Sequence, residues 1–223
     1  MLADHVYQEL LASLMDGRLP AGAPVNIHGI ARRLDVSSTP VREALARLEA
    51  TCMVTREALK GYRVAPLFSA EELGRLMDAR RVIEPANAEL ACARTGEELC
   101  GQLEHAVQDL ADAPRGPSFT EFQAYWEADE RFHRLIAERA GNPFLLSAYT
   151  ALGGHVQRFR YFGAHGVTDA DLAIAEHADI LAAFTAGDAE QARGRMDAHI
   201  ANVKCRVMAE GASRAAEPNL VGA

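Results

Sequence analysis

The chain has 223 residues, 49% of them hydrophobic and 24% charged, with a net charge of −8. That length and apolar content suit one large domain or two of ordinary size, each with a real core. No apolar run approaches the roughly 18 residues of a membrane span, no basic stretch leads into an apolar segment as in a secretory leader, and the four cysteines (Cys52, Cys92, Cys100, Cys205) show no paired spacing, so the expectation is a cytoplasmic protein with reduced thiols.

The charge divides unevenly. Residues 1–66 carry 8 Lys/Arg against 7 Asp/Glu, a net +1, and residues 67–223 carry 15 against 24, a net −9. The first part is close to neutral and could meet a polyanion only through a few well-placed contacts. The second part holds the acidity.

Taken in order, residues 3–16 predict a first helix with Val6, Leu10, Leu11 and Leu14 on one side. Gly17 and Pro20 follow it, as a helix stop requires. A second helix is expected at 27–34, with Ile27, Ile30, Ala31 and Leu34 inward. Asp35-Val36 makes a turn, and a third helix runs over 38–50. Ser37, Ser38 or Thr39 supplies its N-cap, Pro40 suits the first turn, and Glu43 is expected as the capping carboxylate. Val41, Leu45 and Leu48 fall at i, i+4, i+7 and make one apolar stripe. That leaves Ser37, Ser38, Thr39 and Arg42 around the free N-terminal end, where hydroxyls and an arginine suit phosphates and base edges. Residues 53–56 and 62–65 alternate as two short strands, with Lys60-Gly61 in the turn between them.

Ala65-Pro66-Leu67-Phe68 reads as a linker, and Ser69 with Glu72 has the spacing of a capping box. From there the text is helical, with segments expected at 70–94, 96–112, 118–140, 143–163, 169–186 and 188–210. Short breaks separate them, including Gly141-Asn142-Pro143, Gly163–Gly166 and Gly187-Asp188, and residues 211–223 are expected to fray. Six helices on short loops predict an antiparallel bundle. The fold class is therefore mainly α. Residues 1–66 are expected to form three helices, including a helix-turn-helix, plus a small β-hairpin, residues 67–213 an all-α bundle, and 214–223 a tail.

Eight histidines are present. Asp129 and His133 are four apart on one helix and share a face. His177 lies 11 residues before Asp188 and His199 lies 11 after it. At 1.5 Å per residue both stand about 16 Å from the turn, at matched height on an antiparallel pair. These four can meet one ion, or they can be ordinary packed polar groups; the spacing alone leaves both open. His155, on the next helix and 13 residues past Asn142, stands near the level of Asp129 and could serve as a spare ligand. His5, His105 and His165 read as structural or surface residues. Arg80 precedes Glu84 by one turn, as in a simple ion pair, and Arg81 points about 100° away from it.

Two stretches carry a family resemblance. Val6-Tyr7, Leu10, Leu14 and Gly17 to Gly22, then Ile30-Ala31, Leu34, Val36-Ser37 and above all Thr39-Pro40-Val41-Arg42-Glu43-Ala44-Leu45, resemble the winged helix-turn-helix of the GntR superfamily of bacterial transcription regulators. Arg80, Glu84, Asp129, Phe132-His133, Gly141-Asn142-Pro143, Glu176-His177, Gly187-Asp188, Met196 and His199 resemble the FCD effector-binding domain of its FadR-like branch. The first resemblance implies operator DNA as partner, read by His28, Ser37, Ser38, Thr39 and Arg42, with Lys60 and Gly61 on a wing along the minor groove. Relatives usually carry arginine where this chain has Ser38, and often where it has His28, so the operator read here should differ; serine cannot make the arginine–guanine contact. Cys52 stands where relatives usually have glycine.

The second resemblance implies a divalent metal on Asp129, His133, His177 and His199. Three imidazoles and a carboxylate favour zinc, with nickel, manganese or iron as alternatives, and do not suit calcium. It also implies a small carboxylate effector on the ion's open positions, with Arg80 as its clamp, and a homodimer matching two half-sites. The function expected is a metabolite-responsive transcription regulator and not an enzyme, with a metal-dependent enzyme or a pure metal sensor as the rival readings.

Overall fold

The computed structural model describes residues 2–94, 96–116, 119–162 and 169–216. The elements run α1 (Leu2–Met15), α2 (Ile27–Arg33), α3 (Ser38–Ala50), β1 (Val54–Glu57), β2 (Gly61–Val64), α4 (Ala70–Cys92), α5 (Glu97–Asp112), α6 (Phe119–Arg139), α7 (Pro143–Phe162), α8 (Ala170–Ala186) and α9 (Ala189–Ala216). They form two compact units. Residues 2–67, 119–120 and 151–162 group into the first, and 68–94, 96–116, 121–150 and 169–216 into the second.

In the first unit α1 packs on α3, and α2 and β1 pack on α3. The stripe Val41, Leu45, Leu48 is wholly buried, joined by Val6, Leu10 and Leu11 of α1 and Met53. Burying such side chains supplies roughly 1.5–3 kcal/mol each. The strands pair antiparallel with Val54 opposite Val64 and Glu57 opposite Gly61. Gly61, expected in the turn, therefore opens β2, and the turn is Ala58-Leu59-Lys60. Asp35 and Cys52 both have positive φ, +52° and +58°. At Cys52 this is the backbone shape that glycine adopts without cost, as the glycine expected there from the family resemblance would.

The cap of α3 differs from expectation. Ser37 is the N-cap, but its side chain makes no capping bond, and the first turn holds no acidic residue. Pro40 occupies the third helical position, so Glu43 lies a turn too late to cap. In contrast, Ser69 and Glu72 form the complete capping box at the start of α4.

In the second unit α9 packs on α4 and α8, and α8 on α5. Arg81 meets Asp197, Lys204 meets Asp78 and Arg193 meets Glu89, so α4 and α9 run antiparallel. Gly187 ends α8 with φ +68° and turns the chain into α9. That helix continues to Ala216, six residues past the expected end, since its alanine-rich last turns favour helix. Residues 217–223, and the break at 163–166 with His165, lie outside the described residues. Among the described residues the four cysteines are all free thiols, and no helix is long and apolar enough to cross a membrane.

Candidate functional site: a histidine cluster in the helical unit and the exposed start of the third helix

Three helices bring His133 (α6), His177 (α8) and His199 (α9) together. All three are buried, at 4%, 0% and 2% exposure. One ring nitrogen of each lies within 4.8 Å of those of the other two. His133 Nε2 and His177 Nε2 are 3.2 Å apart, and Asp129 Oδ1 is 3.5 Å from His177 Nε2. The matched-height argument holds, for the His177 and His199 rings are 4.6 Å apart between centroids.

The opposite edge of two of the rings is tied, and that of the third stands against a carboxylate. His177 Nδ1 donates to the Ala173 carbonyl at 2.6 Å. His199 Nδ1 donates to Glu176 Oε2 at 2.7 Å. His133 Nδ1 stands 2.7 Å from Glu84 Oε2, close but off the line of a regular hydrogen bond. The Nδ1 atoms of His177 and His199 each face an acceptor and so carry the ring proton, leaving their Nε2 lone pairs free, and the nearby Glu84 carboxylate favours the same tautomer for His133. Two lone pairs 3.2 Å apart repel unless a cation or proton lies between them. Nitrogens on one zinc ion at 2.0–2.1 Å bonds are about 3.3 Å apart in a tetrahedron, so this set fits a divalent metal.

The electrostatics agree. Burial, then the neighbouring His199, pulls the His177 pKa down to about 3, and burial lowers His199. Both rings are neutral at neutral pH, as metal ligands must be. Burial works against ionising Glu84, but Arg80 and His133 outweigh it and hold the carboxyl well below its usual range. Burial likewise opposes ionising Glu176, and hydrogen bonds from His199 and Arg206 bring its pKa to about 2. Two ionised carboxylates thus lie behind the histidine ring.

Arg80 is 4% exposed. Its Nε is 2.5 Å from Glu84 Oε1 and its Nη2 3.4 Å from Oε2. Among the described residues the Nη1 group meets only the Met77 sulfur, at 3.9 Å. Arg81 pairs with Asp197 on the surface. On the far side, Arg206 grips both oxygens of Glu176. Two Arg–Glu–His chains therefore flank the cluster. Glu176 and Arg206 escaped the sequence reading in this role: Glu176 adjoins His177 but serves His199, and Arg206 is seven residues beyond it. His155 does not join the cluster. Its Nε2 lies 3.7 Å from Cys52 Sγ in the first unit.

In the first unit Ser37, Thr39 and Arg42 are exposed and Ser38 half-buried at the start of α3. His28 Nδ1 is 3.4 Å from Ser38 Oγ. Arg42 has no ion-pair partner among the described residues, whereas Arg47 is engaged by Asp4 and Tyr7. Arg32, not singled out from the sequence, is exposed and lines the same surface hollow as His28, Asp35, Ser37 and Ser38. Lys60 is exposed and 3.7 Å from Glu57, and Gly61 has φ +89°.

A helix-turn-helix with a β-hairpin, joined to a helical unit with a histidine cluster, defines a DNA-binding regulator with a second, helical domain. Residues 2–64 match the bacterial regulatory proteins of the gntR family, and residues 75–202 match the FCD domain. The chain belongs to the GntR family of transcription regulators with an FCD domain. It is 30% identical over 203 residues to the "Probable D-xylose utilization operon transcriptional repressor" of Paenarthrobacter nicotinovorans, covering 90% of this chain and 86% of that one. It is 24% identical over 199 residues to the transcriptional repressor RspR of Escherichia coli K12, covering 89% and 86%. Among solved structures, E. coli McbR/YncC shares the fold with a TM-score of 0.70 at 21% identity, covering 94% of this chain and 98% of that one. A GntR regulator from Rhodococcus sp. RHA1 does so at 0.67 and 21%, covering 93% and 97%. The gntR family and the two curated relatives are transcription regulators and not enzymes, and so is this protein.

Proposed function

We propose that this regulator acts in the cytoplasm as a homodimer whose operator affinity is set by a small organic acid bound at a metal in the helical domain. The first domain takes residues 1–66 and the second begins at residue 67. The observation that carries the reading is the set of three buried imidazoles, one ring nitrogen of each within 4.8 Å of those of the other two, with the Nδ1 edges of His177 and His199 tied outward. His133, His177 and His199, with Asp129 beside them, would hold one divalent ion, zinc first and nickel, manganese or iron as alternatives. The ion would supply a Lewis-acidic position for a carboxylate.

Arg80 supports the second half of the reading. It is a buried guanidinium with one edge on Glu84 and Nη1 protons that, among the described residues, find only a sulfur, a poor acceptor. A carboxylate of the effector would satisfy them. Reading of DNA falls to Arg42, Ser37, Ser38, Thr39 and His28, with Lys60 and Gly61 of the wing approaching the backbone. One such unit, nearly neutral overall, has a small footprint, and two copies on two half-sites supply the missing affinity. Two of the relatives are named repressors, which favours repression.

The test is DNA binding by the purified full chain on fragments it selects from random DNA, with metal or chelator and a panel of organic acids. An acid should change affinity only when metal is present. A response to acid that survives chelation would remove the metal from the control, and a response to metal with no acid at all would make the protein a metal sensor.

A further inference from the structure

Asn87 on α4 is 1% exposed, yet among the described residues neither its amide nitrogen nor its amide oxygen has a hydrogen-bond partner. A buried amide left unpaired at both ends is costly, and native interiors rarely tolerate it without a reason. Asn87 lies seven residues after Arg80, within about 20° of two full turns, so both project from the same side of α4. Glu84 lies between them, three residues before Asn87 and in contact with both Arg80 and His133. Side chains on a helix lean toward its N-terminus, so the Asn87 amide is expected on the Glu84 side of its own turn. The Arg80 guanidinium reaches the same turn from the other direction.

We infer that Asn87 is a specificity-determining contact for the effector, and that the effector is a hydroxy acid. This rests on the effector reading above. An amide offers one donor group and one acceptor, and a hydroxyl is the small group that accepts from the first and donates to the second. A plain carboxylate accepts only, and would leave the Asn87 oxygen unpaired. The carboxylate of the ligand goes to the ion and to Arg80, and its hydroxyl goes to Asn87. A site built to bond a hydroxyl rejects the analogue lacking it far more strongly than an apolar pocket rejects a methylene.

The experiment is calorimetric titration of the metal-loaded full chain with matched pairs: malate against succinate, lactate against propionate, and 2-hydroxyglutarate against glutarate. The hydroxylated member of at least one pair should bind about tenfold more tightly or better. Asn87→Leu and Asn87→Ala should bring that ratio close to one while metal stoichiometry stays unchanged. Asn87→Leu, which removes both unpaired atoms at similar volume, should also melt no lower than the parent in chelator. If acids bind with no preference for the hydroxyl, or if the preference survives in the variants, the role of Asn87 is overturned and the effector reading stands. If none of the acids tested binds the metal-loaded parent, the effector reading fails for this ligand class and the inference falls with it.

Discussion

Glu176 is the chain neighbour of His177, but its carboxylate accepts a hydrogen bond from the other histidine, His199, at 2.7 Å across the α8–α9 pair. Successive residues on a helix point about 100° apart. His177 therefore turns into the cluster while Glu176 faces α9, where Arg206 and Asn202 fix its two oxygens. The carboxylate orients the His199 ring and pins its proton on Nδ1.

Glu176→Gln is expected to weaken metal binding by about 10–100-fold, the usual effect of losing a carboxylate behind a ligating histidine. Competition with a chelating dye reads the affinity, and circular dichroism checks that the helices persist. An unchanged affinity would mean that His199 is oriented by packing alone.

Arg80 and Glu84 are a buried pair, each 4% exposed, and removing one partner strands the other. Arg80→Ala should cost on the order of 3–5 kcal/mol in chelator, whereas Arg80→Met with Glu84→Gln should cost much less, because no buried charge then lacks a partner. Urea melts of the three proteins measure this. Equal losses in the single and double variants would show that the pair contributes by packing and not through charge.

Much of this architecture was legible in the sequence because local signals coincide with it. The Ser69–Glu72 box, the Gly187 stop and the stripe Val41–Leu45–Leu48 each act within a few residues. The His177–His199 meeting was legible because an antiparallel hairpin converts equal counts from a turn into equal heights. What could not be read depends on rotation across helices: that Glu176 serves His199, that His155 meets Cys52, and that Asn87 is left unpaired. The α3 cap misled because three hydroxyl residues in a row allow several registers, and the backbone chose Ser37. The wing was displaced by one residue at each strand, since alternation fixes which face a residue takes but not where pairing begins.

Leu59 tests the cost of that wing. It is fully exposed at the turn with φ +65°, a conformation in which glycine and asparagine are at ease and leucine is not. No packing is lost on truncation. Leu59→Asn should therefore stabilise the isolated fold by about 0.5–1 kcal/mol, within the cost of one left-handed residue. A chemical-denaturation midpoint that falls would show that the leucine makes a contact in solution.

Arg42 is the exposed arginine at the start of α3 with no ion-pair partner among the described residues. Arg42→Ala should weaken operator binding by roughly 1–3 kcal/mol if it reads a base edge, and relax preference at one position per half-site. Ser38→Arg should shift preference toward guanine at one position, since it restores a fork able to meet that base. Selection from random DNA by the parent and both variants distinguishes these outcomes. The same motif from all three would remove both positions from the reading set.

The sharpest prediction concerns His199 itself. In the full chain, His199→Ala removes one of the three convergent nitrogens and leaves Glu176 held by Arg206 and Asn202. A ligand that binds only the folded state raises stability by RT ln(1 + [L]/Kd). At a free metal concentration 100 times the parent's Kd, that term is about 2.7 kcal/mol. A variant that binds 100-fold more weakly keeps about 0.4 kcal/mol of it by the same relation. The gap between melting temperatures in metal and in chelator should therefore be wide for the parent and nearly closed for His199→Ala. In chelator the two proteins should differ only by the loss of one buried ring. Thermal melts in zinc, nickel and manganese, each against chelator, give the comparison and rank the ions. A gap as wide in the variant as in the parent would mean that the convergent histidines do not hold the ion.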